Sequence, residues 1–151
     1  MEVLSFRLKP GQDLLAEIER IVAENDISAG CILSAVGSLT QATLRLANHE
    51  TYTTFAGHFE IVAATGTVSR HGSHLHIAIS DGEGRTFGGH LVLGCVIYTT
   101  AEIVLAVFPH LIYRRELCEL SGYEELVIAA RRETPSAAGV RRFAVHSPSD
   151  D

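Results

Sequence analysis

His74, His76 and His90 stand on either side of an Asp81-Gly82-Glu83-Gly84 turn, in a run that alternates apolar with small or polar residues as a β-hairpin does. Three imidazoles gathered at one point make an open metal site, because three nitrogen ligands leave a fourth position for water or substrate. The spacing decides whether they gather. Residues i and i+2 of a strand share a face, so His74 and His76 project side by side while Leu75, Ile77 and Ile79 take the other, buried face. A two-residue loop, Gly82-Glu83, would pair Leu75 with His90 and turn His90 to the wrong side. A three-residue loop, Gly82-Glu83-Gly84, with Gly84 left-handed in a G1 bulge, pairs His76 with His90 instead, and this is the register expected. Three neutral imidazoles without a thiolate suit zinc, and also cobalt, nickel or iron. The alternative is a polar strand face whose rings meet only water or backbone carbonyls.

Two carboxylates stand out beside the histidines. Glu60 alternates against Phe59 and Ile61 and so points away from their face, and Glu102 is flanked by Ala101 and Ile103 in the same way. Each could carry a proton for catalysis, orient a ligand imidazole, or enter an ion pair, which for Glu60 would be with Arg45. His71 and His58 read as exposed turn residues, and Ser80-Asp81 as turn chemistry, since Asp before Gly accepts local backbone hydrogen bonds. No segment makes a phosphate cradle, because Gly82-Glu83-Gly84 and Gly88-Gly89 precede no helix pattern and lack the Lys-Ser/Thr of a P-loop. Ser34 and Ser38 lack the Gly-x-Ser-x-Gly elbow of a serine hydrolase. The pairs Arg114-Arg115, Arg131-Arg132 and Arg141-Arg142 could line an anionic site or an interface, or be solvated surface.

The elements that must position these groups follow from periodicity. Val3 to Leu8 alternates like an edge strand and Pro10-Gly11 breaks it. Leu14, Leu15, Ile18, Ile21 and Val22 recur at helical spacing, with Asp13 and Glu17 where the helix dipole favours acids. Cys31 to Val36 is extended and expected to end at Gly37-Ser38, with Ala42 to Leu46 the next strand and Asn48 to Thr54 a polar connection. Phe59 to Gly66, Leu75 to Ser80, Thr86 to Gly89, Ala101 to Phe108 and Glu124 to Ala130 are strand-like. Leu91 to Thr99 shows no period. Many short strands and one early helix predict an α+β domain, mostly antiparallel. One domain is expected over residues 1–132, followed by a tail, 133–151, that is mobile or docked on a neighbouring subunit.

Composition limits the partners. A chain of 151 residues, 46% apolar and 20% charged, closes a single core. A net charge of −6 disfavours nucleic acid, whose backbone attracts clustered Lys and Arg. The N-terminus lacks the basic start and apolar core of a secretory signal, no window has the length of a membrane span, and Cys31, Cys95 and Cys118 suit reduced thiols, so a cytoplasmic protein is expected.

Several stretches match one known family. Ala35-Val36-Gly37-Ser38-Leu39, Gly57-His58-Phe59-Glu60-Ile61, Leu75-His76-Ile77 with Ser80-Asp81, Gly88-Gly89-His90-Leu91 and Thr99-Thr100-Ala101-Glu102-Ile103, in this order, strongly resemble the PPC (plants and prokaryotes conserved) domain. The resemblance implies an α+β fold with a strongly bent antiparallel sheet, homotrimers, and a likeness of fold to acetolactate decarboxylases, whose zinc is held by a His-x-His pair plus a later histidine. Only His74, His76 and His90 carry over as ligands, with a spacing that differs from the decarboxylase pattern. Plant members bind AT-rich DNA through Arg-Gly-Arg-Pro hooks outside the domain, and this sequence has no such hook. The leading expectation is therefore a metal-binding homotrimer, with zinc or another divalent metal open to a small oxygen-bearing ligand. Any chemistry there would be that of a metal-dependent lyase or hydrolase, with Glu60 or Glu102 carrying the proton. The rival is a DNA-associated or regulatory protein whose trimer surface is the functional part. In a third reading the metal only stabilises the trimer.

Overall fold

The structure, a computed structural model, describes residues 1–131; the expected tail lies outside the described residues. Strand β1 (Glu2–Leu8) is followed by α1 (Leu14–Glu24), then β2 (Gly30–Arg45), β3 (Tyr52–Val68), β4 (His74–Ser80), β5 (Thr86–Leu91), β6 (Val96–Val107), β7 (Leu111–Leu117) and β8 (Glu124–Ala130). This is the α+β architecture expected, with one helix and antiparallel pairing throughout the described sheets.

Helix α1 forms because Leu14, Ile18, Ile21 and Val22 fall on one buried stripe and Asp13 caps it, its Oδ1 accepting from the Ala16 amide at 3.0 Å. The stripe packs on a six-stranded sheet of order β1-β6-β2-β3-β4-β5. Leu39, Leu44, Leu75, Ile79, Leu91, Ile103 and Leu105 fill the core between them, each almost fully buried. The sheet bends so far that β5 also pairs with β2, Leu44 opposite Leu91 and Arg45 opposite His90. That closure brings together residues 45 positions apart in sequence.

Two sequence expectations need correction. Gly37-Ser38 does not end a strand: β2 runs unbroken from Gly30 to Arg45, with register shifts between Gly37 and Leu39 and between Leu39 and Gln41. A bulge re-aims the chain without releasing its ladder, and the apolar alternation resumes at Ala42, followed by Leu44. Nor is Asn48 to Thr54 all loop, because β3 begins at Tyr52 and is stitched to β2 by the Thr43 and Thr54 hydroxyls at 3.0 Å. The unassigned Leu91 to Thr99 holds the start of β6 at Val96. Strand β7 is unanticipated and pairs with β8 as a separate two-stranded ribbon.

Candidate metal centre

The hairpin from β4 to β5 sets the site. The Asp81 amide donates to the Arg85 carbonyl at 3.0 Å and the Gly84 amide to the Asp81 carbonyl at 3.0 Å, so the loop is Gly82-Glu83-Gly84. Gly84 takes φ +79°, the left-handed conformation a G1 bulge requires. Asp81 also accepts from the Glu83 and Arg85 amides at 2.9 and 3.0 Å, tying the turn with its own side chain. His76 consequently lies opposite His90, as the loop length predicted, and Leu75, Ile77 and Ile79 are buried on the other face.

The three rings converge. Their centroids are 5.1 Å (His74–His76), 5.0 Å (His74–His90) and 5.5 Å (His76–His90) apart, a nearly equilateral triangle. One ring nitrogen from each lies within 4.8 Å of the others. The Nε2 atoms of His74 and His76 are 3.2 Å apart, close to the ~3.3 Å expected of two nitrogens at 2.0–2.1 Å from one tetrahedral ion. Without an ion that pair is a single N–H···N hydrogen bond. Nδ1 of His90 is buried and has no hydrogen-bond partner, and an ion bound there would satisfy it. Donor type, the His74–His76 separation and the orphaned nitrogen suit a divalent transition metal.

Electrostatics keep the rings in the form a metal needs. Burial, and then the Arg45 guanidinium, push His90 down to about 4. Burial also lowers His74, helped by His76 and Arg115 and opposed by Glu125. Both are neutral at pH 7, with a lone pair free.

Glycines let the neighbouring strands close on β4. A Cβ at Gly66, where φ is +135°, would stand 2.0 Å from the His74 carbonyl oxygen. No other residue fits that approach.

Glu60 and Glu102 are not brought to this point. Glu60 is exposed and shares the histidine face, but it lies opposite Ser38 and Ser80, four residues along β4 from His76, roughly 13 Å. Glu102 faces Arg7 and Val36 on β6, three strands across from β4, roughly 14 Å. Among the described residues no ion pair joins Glu60 to Arg45. Other charged groups stand beside the rings instead. A cavity of about 660 Å³ opens next to His74 and His90 and is lined also by Arg45, His71, Arg115 and Glu125. Arg45 reaches it through the β2–β5 closure, and Arg115 and Glu125 come from the β7–β8 ribbon. The Arg114-Arg115 pair was the sequence signal for one of these; Glu125 carried none. His71 is exposed as expected, yet its loop lies at the cavity wall.

A bent antiparallel sheet that gathers three histidines on its outer face defines a small α+β domain with a candidate metal centre. The Plants and Prokaryotes Conserved (PCC) domain model matches residues 1–109, and the chain belongs to that family. The chain is similar to a solved hypothetical protein from Salmonella enterica, with 39% identity and a TM-score of 0.85 over 87% of this chain and 95% of that one. A metal-containing protein from Archaeoglobus fulgidus shares 25% identity and a TM-score of 0.69 over 84% of this chain and 94% of that one. Among curated proteins, the Bifunctional protein GlmU of a Synechococcus strain is 48% identical over 85% of this chain but only 21% of its own length. The AT-hook motif nuclear-localized protein 8 of Arabidopsis thaliana is 30% identical over 68% of this chain and 29% of its own. The chain thus spans about a fifth to a third of the curated relatives it matches.

Proposed function

We propose that His74, His76 and His90 hold one divalent transition metal, zinc before cobalt, nickel or iron, and that the centre binds a small oxygen-bearing molecule at the remaining coordination position. The observation that carries this is the triangle of ring centroids 5.0–5.5 Å on a side, closed by a turn whose length selects the face. The metal-containing relative from Archaeoglobus fulgidus supports it. A bound ion would supply Lewis acidity, polarising a carbonyl or lowering the pKa of water, as lyase or hydrolase chemistry needs. The chain's own contribution is to hold the His74 and His90 rings neutral, to shape the adjoining cavity and to place charge around it. Within one subunit Glu124 and Glu125 line that cavity, Glu125 acting on His74, while Glu60 and Glu102 would serve as proton carriers only from a neighbouring subunit of a homotrimer. Three free cysteines fit the reducing cytoplasm. Elemental analysis of protein purified without chelator is expected to find one metal per chain, and a His76→Ala, His90→Ala double variant to lose it. Equal metal in parent and variant would end the reading.

The Arabidopsis relative, an AT-hook motif nuclear-localized protein, favours a second reading in which the domain serves a DNA-associated or regulatory assembly. The net charge of −6 opposes direct binding. Fluorescence anisotropy with labelled duplex at low and moderate salt decides: specific binding that survives the rise in salt, by protein without metal, favours the second reading.

A further inference from the structure

Arg45 and Arg115 are both half-buried beside the histidine cluster, and among the described residues neither enters an ion pair. Arg115 donates one hydrogen bond, from Nη2 to the Thr67 hydroxyl at 2.7 Å, and Arg45 lies directly opposite His90 on the closing strand pair. A guanidinium stays charged at every working pH, and withdrawing one from water without a counter-ion is costly. Two such groups lining one concave space, next to a centre that would itself be cationic, call for an anion. Glu124 and Glu125 line the same cavity, but both are exposed and, among the described residues, neither forms an ion pair with an arginine, so the guanidinium forks stay open to a ligand.

We propose that Arg45 and Arg115 form an oxyanion subsite adjoining the three-histidine centre, suited to the carboxylate of a small organic acid. The planar fork of a guanidinium matches a carboxylate with two parallel hydrogen bonds. A cavity of about 660 Å³ takes a small molecule and no macromolecule. The subsite fixes the ligand class that the metal reading leaves open: an oxygen-bearing molecule with a negative end held by arginine and a second oxygen turned to the imidazoles. Ser73, whose buried hydroxyl has no partner, belongs to the same wall.

The proposal rests on the metal reading for its position but not for its test. Isothermal titration of oxalate, acetate and inorganic phosphate into zinc-loaded and metal-free protein is compared with Arg45→Gln, Arg115→Gln and Arg115→Lys variants. Metal content and melting temperature are measured for each. Oxalate is expected to bind the loaded parent, and each glutamine variant to weaken it about tenfold or more at unchanged metal content. The lysine variant, which keeps charge and loses the fork, is expected to fall between. Phosphate binding above oxalate would transfer the subsite from carboxylates to phosphates and overturn the ligand class. Equal oxalate affinity in parent and folded glutamine variants would overturn the subsite while leaving the metal centre intact. Arginine-dependent oxalate binding to protein that takes up no zinc would uphold the subsite and remove the metal reading.

Discussion

His90 faces three influences at once: burial, a guanidinium across the strand pair and two like rings. All three favour its neutral form. In metal-free protein its ring nitrogens are expected to titrate near pH 4, with His74 below the ordinary 6.5, when followed by long-range proton–nitrogen NMR. A His90 midpoint at 6.5 would place the ring in open water, outside the cluster. The sign for stability follows. The unfolded chain takes up the proton near 6.5 and the native ring only near 4, so the contribution is present above 6.5 and drains away as pH falls toward 4. The i, i+2 spacing and the loop length made the histidine cluster legible in the sequence, because both are local. Arg45 as a neighbour of His90 was not legible, since it depends on β5 pairing back onto β2.

At the scale of elements, Asp13 joins helix to sheet. One carboxylate oxygen caps α1 through the Ala16 amide at 3.0 Å, and the other accepts from the Gly94 amide at 2.6 Å, just ahead of β6. Asp13→Ala removes both and is expected to cost about 2 kcal/mol, read as a lower urea midpoint, with metal content unchanged. An unshifted midpoint would show that the helix is held by its apolar stripe alone. Gly66→Ala acts differently. Its Cβ would strike the His74 carbonyl at 2.0 Å and its φ of +135° is hostile to alanine, so a loss of about 3 kcal/mol and a displaced His74 are expected. Native stability with full metal uptake would disprove that constraint. The helix and most strands were readable from periods of 3.6 and 2. The unity of β2 was not, because Gly37 reads as punctuation in sequence and serves as a bend in the fold; β7, short and only partly buried, gave too weak an alternation.

For the whole molecule, Leu33 and Val36 on β2, Val62 on β3 and Tyr98 on β6 leave apolar surface exposed, with Val62 at 55%. Such surface is normal when scattered but, on neighbouring strands, suits self-association. Light scattering is expected to give three times the 16.3 kDa chain mass, reduced by Val62→Asp. A parent that runs as a single chain would remove the homotrimer. The fold class was legible because alternating strands, glycine punctuation and one amphipathic helix leave few architectures open. The hairpin loop has a last consequence. Because pleated chains present odd and even positions to opposite sides, and the loop fixes where pairing starts, losing one residue from Thr86 to Gly89 would leave the ribbon intact while setting His90 opposite Ile77 and turning the third imidazole inward. Parity alone, with no histidine altered, thus separates a domain whose three rings converge from one that holds them apart, and gives this architecture a short evolutionary route between the two.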